Sequence, residues 1–313
     1  IKVIGIDSLN DYYSKKLKLK RLSILKKNSN FYFSKIDLNN YSSLNLFLKK
    51  KKIDKIIHLA AQPGVRVSLK KPFNTLKQNI NAFINILEIA RVKKIKKILY
   101  ASSSSIYGET KIYPFNEDDK ENEPISVYGS SKLTNEILSS SYARNFKIKC
   151  IGLRFFTVYG PLGRPDMAYF SFLDNLRKNK PITVFNKGLM KRDFTYIDDV
   201  VEGIYKCCKK PASIDDQFDY LNPNPSTSYA PHRIFNLGNN STVELLYFIE
   251  LLEKNLGKKA NKILEPMQNG DVVETYADTD LLTKWIGYKS KVSIEEGIEK
   301  FSQWFLKFYN YGK

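Results

Sequence analysis

The chain has 313 residues, of which 42% are hydrophobic, enough for one large α/β unit and a smaller lobe. No run of about 18 apolar residues occurs, so the sequence predicts no membrane-spanning helix in this segment. Its three cysteines, Cys150, Cys207 and Cys208, match neither a zinc pattern nor a disulfide framework, so we expect no metal site and a reducing, cytoplasmic location.

The formal net charge of +19 has two interpretations. Basic surfaces bind nucleic acid through its phosphates. The lysines here, however, are spread through runs such as residues 49–52 and 93–97, at the ends of helix-like segments. This distribution favours a solvated surface, and we expect no nucleic-acid partner. The positive field would still attract an anionic substrate.

The first predicted elements alternate between strand and helix. A strand at residues 2–6 ends at Asp7, a basic helix covers residues 17–27, and a strand at residues 31–36 ends at Asp37. An acidic residue at the end of a strand is where a Rossmann unit holds the ribose hydroxyls of a dinucleotide, so Asp7 is a candidate for that role. Asp37 taken alone is an ordinary strand-end acid.

The next predicted strand is buried and ends in small residues. It covers residues 53–61, and Ala60 and Ala61 at its end would let a ligand approach the backbone closely. His58 lies inside the apolar run, so we interpret it as a packed core histidine and not as a base.

Four serines follow the strand after that. A long helix at residues 72–92 leads to a short apolar strand at residues 97–101, and residues 102–105 are all serine. Ligands in open α/β sheets bind at the carboxyl ends of the strands. The serines are therefore candidate ligand contacts.

Tyr128 and Lys132 open the next predicted helix and share one face, because they are four residues apart. A phenol with its ordinary pKa of about 10 is a poor base at neutral pH, but an ammonium within about 4–6 Å favours the phenolate. Tyr128 would then take a proton from a substrate hydroxyl while Ser103 bonds the same oxygen. The alternative is an ordinary amphipathic helix behind a serine-rich loop; the serine cluster 25 residues upstream favours the catalytic interpretation.

A strand at residues 149–156 completes a mostly parallel predicted sheet with crossover helices on both faces. From Thr157 onward the composition changes to loops of glycine, proline and aromatic residues. This change indicates a second, smaller lobe.

The order and spacing of Ser103, Tyr128 and Lys132 resemble those of the extended short-chain dehydrogenase/reductase family. Within that family the chain is similar to the UDP-glucuronate 4-epimerases, most specifically over residues 226–239, and the similarity covers nearly the whole chain. It implies an α/β fold with a Rossmann-like, doubly wound parallel sheet and a smaller C-terminal substrate-binding lobe. Residues 1–156 would bind NAD and residues 157–313 the nucleotide sugar, with residues 192–207 returning to the main sheet.

The resemblance also places residues 2–6 at the second strand of the family's sheet. We therefore expect the first strand and its Gly-x-x-Gly-x-x-Gly phosphate loop to be missing, and we interpret the chain as N-terminally incomplete. The complete protein would bind a dinucleotide, whereas the sequence does not predict activity for this chain alone. The alternative is a natural relative that uses no cofactor.

The site residues implied by the resemblance fall into two groups. Besides Tyr128 and Lys132, the residues matching NAD contacts are Asp7, Asp37, Leu38, Leu59, Ala60, Ala61, Asn79, Ser102 and Phe155. The residues matching substrate contacts are Ser103, Ser104, Ser105, Thr157, Arg164, Arg192 and Asp271. Arg192 would bond the diphosphate with its planar fork. The simpler alternatives are that Arg192 forms a surface ion pair and that Asp271 is a turn residue. For Arg66 two interpretations remain equal: a solvated charge on a loop, or part of the rim that faces the substrate.

The reaction implied is 4-epimerisation through a transient 4-keto sugar, with NAD regenerated in each cycle. Related dehydratases carry an Asp-Glu pair where this chain has Ser104 and Ser105, and related decarboxylases carry Glu at Ser105. A row of neutral hydroxyls can bond a carboxylate without repelling it, so we expect UDP-glucuronate to keep its acid group. The alternatives are a 4-epimerase of UDP-glucose or a UDP-N-acetylhexosamine and, from another class, a non-catalytic NAD(H)-sensing scaffold.

Relatives in this family commonly pair two helices of the cofactor domain into a four-helix bundle. The corresponding segments here are residues 72–92 and 126–146. The resemblance therefore implies a homodimer.

Overall fold

Parallel strands separated by helices make up the first half of the molecule. The computed structural model describes residues 1–309. The elements of this half are β1 (Val3–Asp7), α1 (Lys15–Leu25), β2 (Phe31–Lys35), α2 (Tyr41–Leu48), β3 (Ile56–His58), α3 (Val65–Lys70), α4 (Pro72–Leu76), α5 (Ala82–Val92), β4 (Lys97–Ser103), α6 (Val127–Phe146) and β5 (Lys149–Phe155).

The main sheet has four parallel strands in the order β10-β5-β4-β3, where β10 is His232–Leu237. Its register sets Ser103 of β4 beside Phe155 of β5. Strands β1 and β2 form a separate parallel pair. Since all these strands run the same way within their sheets, their carboxyl ends collect the residues expected to bind ligands at one edge.

Apolar side chains hold the helices on this sheet. Phe83, Leu87 and Ala90 of α5 are fully buried in one cluster with Ile98 and Tyr100 of β4. Burying each Leu or Phe side chain stabilises the fold by about 1.5–3 kcal/mol. This cluster therefore fixes how α5 sits against the sheet.

The helix predicted at residues 72–92 is interrupted. It begins with Pro72 at its first position, a favourable place for a residue that has no amide proton. A π-helical turn at Lys77–Asn81 then separates α4 from α5. Such turns occur frequently at functional sites, and Asn79 lies in this one.

The second half is built from short strand pairs and amphipathic helices. Its elements are β6 (Thr157–Tyr159), α7 (Ala168–Arg177), β7 (Ile182–Val184), β8 (Lys191–Arg192), β9 (Phe194–Tyr196), α8 (Ile197–Lys209), β10, β11 (Val243–Glu244), α9 (Leu245–Leu256), β12 (Lys262–Leu264), α10 (Asp280–Ile286) and α11 (Ile294–Phe308). Aromatic packing dominates its core: the rings of Phe194 and Phe248 stack at 4.4 Å between centroids.

The sequence analysis expects residues 192–207 to return the chain to the main sheet. That segment returns as helix α8, whose Val200 and Cys207 pack in one cluster with Leu153 and Leu237 of the sheet. The strand that joins the sheet is β10, which pairs with β5. A short apolar segment carries no sequence signal for the strand that it will pair with, so the pairing depends on tertiary packing.

No helix within residues 1–309 is both long enough and apolar enough to cross a membrane.

Candidate active site

The serines form a compact hydroxyl cluster where β4 ends. Ser103 caps the 3₁₀ turn Ser104–Ile106: its Oγ accepts a hydrogen bond of 3.1 Å from the Ser105 amide. The Oγ atoms of Ser103 and Ser105 are 3.2 Å apart. Ser103 is buried, whereas Ser104 and Ser105 are half-buried. The prediction that the serines lie at the carboxyl end of a strand is confirmed.

Helix α6 brings Tyr128 and Lys132 beside this cluster. The Ser126 side chain caps the helix and accepts from the Gly129 amide at 3.0 Å, which fixes where the helix begins. Lys132 is buried, and its Nζ donates to the Ala101 carbonyl at 2.9 Å. The same Nζ lies 5.9 Å from the centre of the Tyr128 ring.

The electrostatics of Tyr128 differ from the sequence-based expectation. Burial raises the pKa of its hydroxyl, and the charge of Arg164 and a hydrogen bond with Ser103 oppose that rise. Burial also lowers the pKa of Lys132 to about 8, with the charge of Glu136 opposing. The net shift of the Tyr128 pKa is therefore upward, opposite to the direction expected beside Lys132. The Lys132 ammonium donates to the Ala101 carbonyl, and Arg164 is the cation that opposes the rise.

A buried ion pair supports this catalytic edge. Glu136 of α6 forms two hydrogen bonds with Arg154 of β5, at 3.1 and 2.9 Å, and accepts a third from the Ser102 hydroxyl at 2.5 Å. The Arg154 guanidinium also lies over the Tyr107 ring, at 4.8 Å. The sequence analysis missed this pair. Two signals could have revealed it: Glu136 follows Lys132 by one helical turn, and Arg154 is a charge inside an otherwise apolar strand.

Four of the predicted cofactor residues lie at or just after the carboxyl ends of strands β1, β2 and β3. Asp7 ends β1 and accepts a hydrogen bond from the Leu9 amide at 2.6 Å, and Asp37 follows β2 and accepts from the Asn39 amide at 2.9 Å. Leu38 follows Asp37 and is half-buried. Leu59 is 51% exposed although it follows a strand.

The remaining residues of this group differ in size and in exposure. Ala60 is exposed, Ala61 is half-buried, and Phe155 ends β5 beside Ser103. Asn79 is 1% exposed, and its amide donates to the Ser131 hydroxyl at 2.9 Å and to the Gln62 carbonyl at 3.1 Å. Asn79 therefore joins the loop after β3 to helix α6, next to Lys132.

Arg164 is held by a carboxylate near Tyr128. Its guanidinium forms two hydrogen bonds with Asp166, at 3.1 and 2.6 Å, and Asp166 also accepts from the Tyr12 hydroxyl at 3.0 Å. Thr157, half-buried, begins β6 on the same part of the chain. The sequence analysis did not identify Asp166 or Tyr12, since nothing in the sequence relates two residues that are 154 positions apart.

Arg192 and Asp271 form an ion pair. Arg192 donates to the Asp271 carboxylate at 3.0 Å and to the carbonyls of Val272 and Val273 at 2.6 and 2.9 Å. Arg66 reaches the same carboxylate at 3.7 Å. Arg66 also lies over the Phe185 ring at 5.0 Å, so it faces the second half of the molecule and is not an isolated solvated charge. The described residues contain no cluster of His, Cys, Asp and Glu side chains that could hold a metal ion.

Comparisons with known proteins found a family model, curated relatives and solved structures that are similar to this chain. Residues 1–233 match the model of the NAD dependent epimerase/dehydratase family. An uncharacterized protein of Methanocaldococcus jannaschii is 51% identical over 98% of this chain and 89% of its own length. A probable UDP-glucuronate 4-epimerase of Rhizobium meliloti is 40% identical over 98% of this chain and 90% of its own. Among solved structures, the UDP-glucuronic acid 4-epimerase of Bacillus cereus, in complex with UDP-glucuronic acid and NAD, superimposes with a TM-score of 0.85 at 33% identity, covering 98% of this chain and 92% of that one.

Proposed function

Since the chain belongs to the NAD dependent epimerase/dehydratase family, we propose that it catalyses the NAD-dependent 4-epimerisation of UDP-glucuronate to UDP-galacturonate. One observation carries the choice of reaction. The hydroxyls of Ser103 and Ser105 cluster at the end of β4, beside Tyr128 and Lys132, with no acidic side chain in the row.

The open edge of the strands fits a dinucleotide. It presents strand-end carboxylates, small residues and an exposed leucine, which suit ribose hydroxyls and a close approach of flat rings. The residues that would hold NAD are Asp7, Asp37, Leu38, Leu59, Ala60, Ala61, Asn79, Ser102, Tyr128, Lys132 and Phe155. NAD, when bound at these residues, would supply the hydride acceptor for C4 of the sugar and, in its reduced form, the hydride donor for the return step.

Tyr128 acts as the base that removes the proton of the C4 hydroxyl, and it returns this proton at the end of the cycle. Ser103 bonds the same oxygen and holds it near the phenol. Because burial raises the pKa of Tyr128, the phenolate needs stabilisation by cations. Arg164 supplies it in the free protein. Lys132, held at the Ala101 carbonyl, orients the cofactor side of the site.

The C6 carboxylate of the sugar would lie among neutral hydroxyls and one cation. Ser103, Ser104, Ser105 and Thr157 donate hydrogen bonds, and Arg164 is fixed by Asp166 on the same side. A carboxylate gains from charge-assisted hydrogen bonds. The absence of an acid at Ser104 and Ser105 leaves no group there to expel water or to drive decarboxylation.

The diphosphate would bind where Arg192 now pairs with Asp271. The guanidinium of Arg192 can bond two phosphate oxygens at once. Asp271 would then accept from the ribose hydroxyls. Arg66 lies close enough to Asp271 to line the same rim.

The test of this function is a turnover assay with purified protein, NAD and UDP-glucuronate, without added reductant, followed by NMR at C4. We expect UDP-galacturonate to appear. We expect Tyr128→Phe to lower kcat by about 10²–10⁴-fold, the usual contribution of a positioned base, while NAD still binds. Tyr32→Phe, which removes an exposed phenol on β2, is the matched control and should leave kcat unchanged.

Other outcomes would select the alternatives. Turnover of UDP-glucose in place of UDP-glucuronate would show that the serine row is not a carboxylate site. NAD binding without turnover of either sugar would favour the NAD(H)-sensing scaffold.

We further propose that the protein forms a homodimer through α4, α5 and α6. Apolar side chains on these helices are exposed: Phe73 is 80% and Ile137 is 64% accessible to solvent. Large exposed apolar side chains on neighbouring helices favour burial in an interface. The division into a cofactor domain, residues 1–156, and a substrate lobe, residues 157–313, and the cytoplasmic location stay predictions.

A further inference from the structure

Lysines form a row at the amino ends of three neighbouring strands. The sheet register aligns Ile56 of β3 with Ile98 of β4, and Ile98 with Cys150 of β5. The residue before each of these is a lysine, namely Lys55, Lys97 and Lys149, and all three are exposed. Neighbouring strands are about 4.8 Å apart, so the three lysines start from neighbouring backbone positions at one end of the sheet. Lys55 Nζ donates to the Cys208 carbonyl at 2.9 Å. They line one small hollow with Cys207 and Cys208.

More exposed lysines extend this row from the adjoining turns. We define the basic edge as Lys52, Lys55, Lys94, Lys96, Lys97, Lys147 and Lys149, all of which are exposed. Within the described part of the chain, none of them forms an ion pair with a carboxylate. Two acidic groups lie near the basic edge. Glu88 pairs with Arg91. Asp54 is exposed between Lys52 and Lys55, so one carboxylate lies among the seven lysines.

Helix electrostatics explain only part of the basic edge. Cations near helix carboxyl ends complement the helix dipole, which accounts for Lys94 after α5 and Lys147 after α6. Lys97 and Lys149, however, belong to strands and are cross-strand neighbours. Like charges on neighbouring strands repel each other, weakly where water surrounds both groups. The fold therefore maintains a repulsive pair that an anionic surface would relieve.

We propose that the basic edge binds the surface of a membrane that contains anionic lipid headgroups. The lysines of the basic edge carry compact ammonium charges without the planar fork of arginine, so their attraction for an anionic surface is diffuse. Two exposed apolar side chains lie beside these lysines: Val92 at the end of α5 is 50% accessible and Phe146 at the end of α6 is 40% accessible. Arg91 of α5 lies over the Phe146 ring at 5.5 Å, so the carboxyl ends of the two helices are neighbours. Apolar side chains among lysines can insert at the boundary between lipid headgroups and acyl chains, whereas the phosphate backbone of nucleic acid has no apolar layer to receive them.

Binding at this edge would leave the candidate active site open. Strand β4 runs from Lys97 to Ser103. At ~3.3 Å per residue the basic edge lies about 20 Å from the serine cluster, at the other end of the same strand. The basic edge and the candidate active site are separate surfaces, so membrane binding at the edge does not depend on the proposed reaction.

The test is co-sedimentation of the protein with vesicles of phosphatidylcholine, with or without phosphatidylglycerol. We expect binding only to the anionic vesicles, and we expect it to weaken as salt is raised above about 0.15 M. Each lysine near an anionic surface contributes about 1 kcal/mol, so the triple variant Lys55→Gln, Lys97→Gln, Lys149→Gln should bind about 100-fold more weakly. The matched control is Lys187→Gln, Lys254→Gln, Lys307→Gln, which changes the net charge equally on exposed residues of the second half.

Three results would overturn the proposal. These are no binding to anionic vesicles at physiological salt, an equal loss of binding in both triple variants, or binding to duplex DNA that exceeds binding to the vesicles. Unfolding is measured beside binding: removing the opposed charges of Lys97 and Lys149 should leave thermal stability unchanged or raise it. Epimerase turnover in solution should be the same in the basic-edge variant as in the unmodified protein, which separates this inference from the proposed function.

Discussion

At the scale of single residues, the protonation of buried groups decides how the site works. Lys132 has a pKa lowered to about 8 because burial disfavours its ammonium form. Glu136 opposes this effect, while buried His58, with a pKa of about 3, is neutral and adds no charge. Glu136 therefore has two connections to the site: a hydrogen bond from Ser102 and an electrostatic effect on Lys132.

We expect activity to fall as the pH rises through about 8, because Lys132, which we propose orients the cofactor side of the site, loses its charge there. Glu136→Gln removes the charge that favours the ammonium, so it should move this alkaline limb to lower pH. The glutamine keeps an oxygen that can accept from Ser102. The measurement is kcat against pH, with Glu88→Gln, a half-buried partner of Arg91, as the control. An alkaline limb at the same pH in Glu136→Gln would contradict the assignment.

At the scale of elements, the helix ends show how local sequence and backbone geometry agree or conflict. Helices α9 and α10 end at Gly257 and Gly287 in the left-handed conformation, with φ of 66° and 63°. Helix α6 ends in the same conformation at Lys147, with φ of 56°. A side chain in this region costs energy that glycine does not incur.

Lys147→Gly should therefore raise the free energy of unfolding by about 1 kcal/mol. Thermal or urea unfolding measures this change. Gly257→Ala is the complementary variant, and it should lower stability by a similar amount, because the space around a Cβ at Gly257 is open and the backbone alone is strained. A lower stability in Lys147→Gly would show that contacts of the lysine outweigh its backbone strain.

At the scale of the whole molecule, the parallel sheet separates two surfaces of different chemistry. The carboxyl ends of the strands carry the serine cluster and its acid, amide and cation partners. The amino ends carry the basic edge. Exposed apolar helix faces lie between them, and these are the faces proposed to form the dimer.

Replacing Ile137 by Glu on α6 should convert the dimer to a monomer, because a carboxylate buried against a second copy is left unpaired. Phe73→Glu on α4 should act in the same way. Light scattering coupled to size-exclusion chromatography measures the mass. Leu221→Glu, at a loop position that is 97% exposed, is the control and should remain dimeric. A monomeric unmodified protein would refute the proposed interface.

Much of this protein follows from its sequence by itself. The apolar run before Ser102 specifies a buried strand, and the four-residue spacing specifies that Tyr128 and Lys132 share a helix face, because both depend on local periodicity. The order of strands and helices likewise implies a parallel sheet with ligands at its carboxyl edge. The family resemblance extended these patterns to the epimerase reaction, and the family assignment is confirmed.

The tertiary structure alone decided how distant residues meet. The pairing of β10 with β5, the Glu136–Arg154 ion pair, the Arg164–Asp166–Tyr12 contacts and the lysine row all join residues far apart in the chain. The tertiary structure also decided the direction of the Tyr128 pKa shift, because desolvation depends on every group packed around the phenol. Local periodicity specifies which face a residue occupies; only the folded chain specifies what lies opposite that face and how much water remains there.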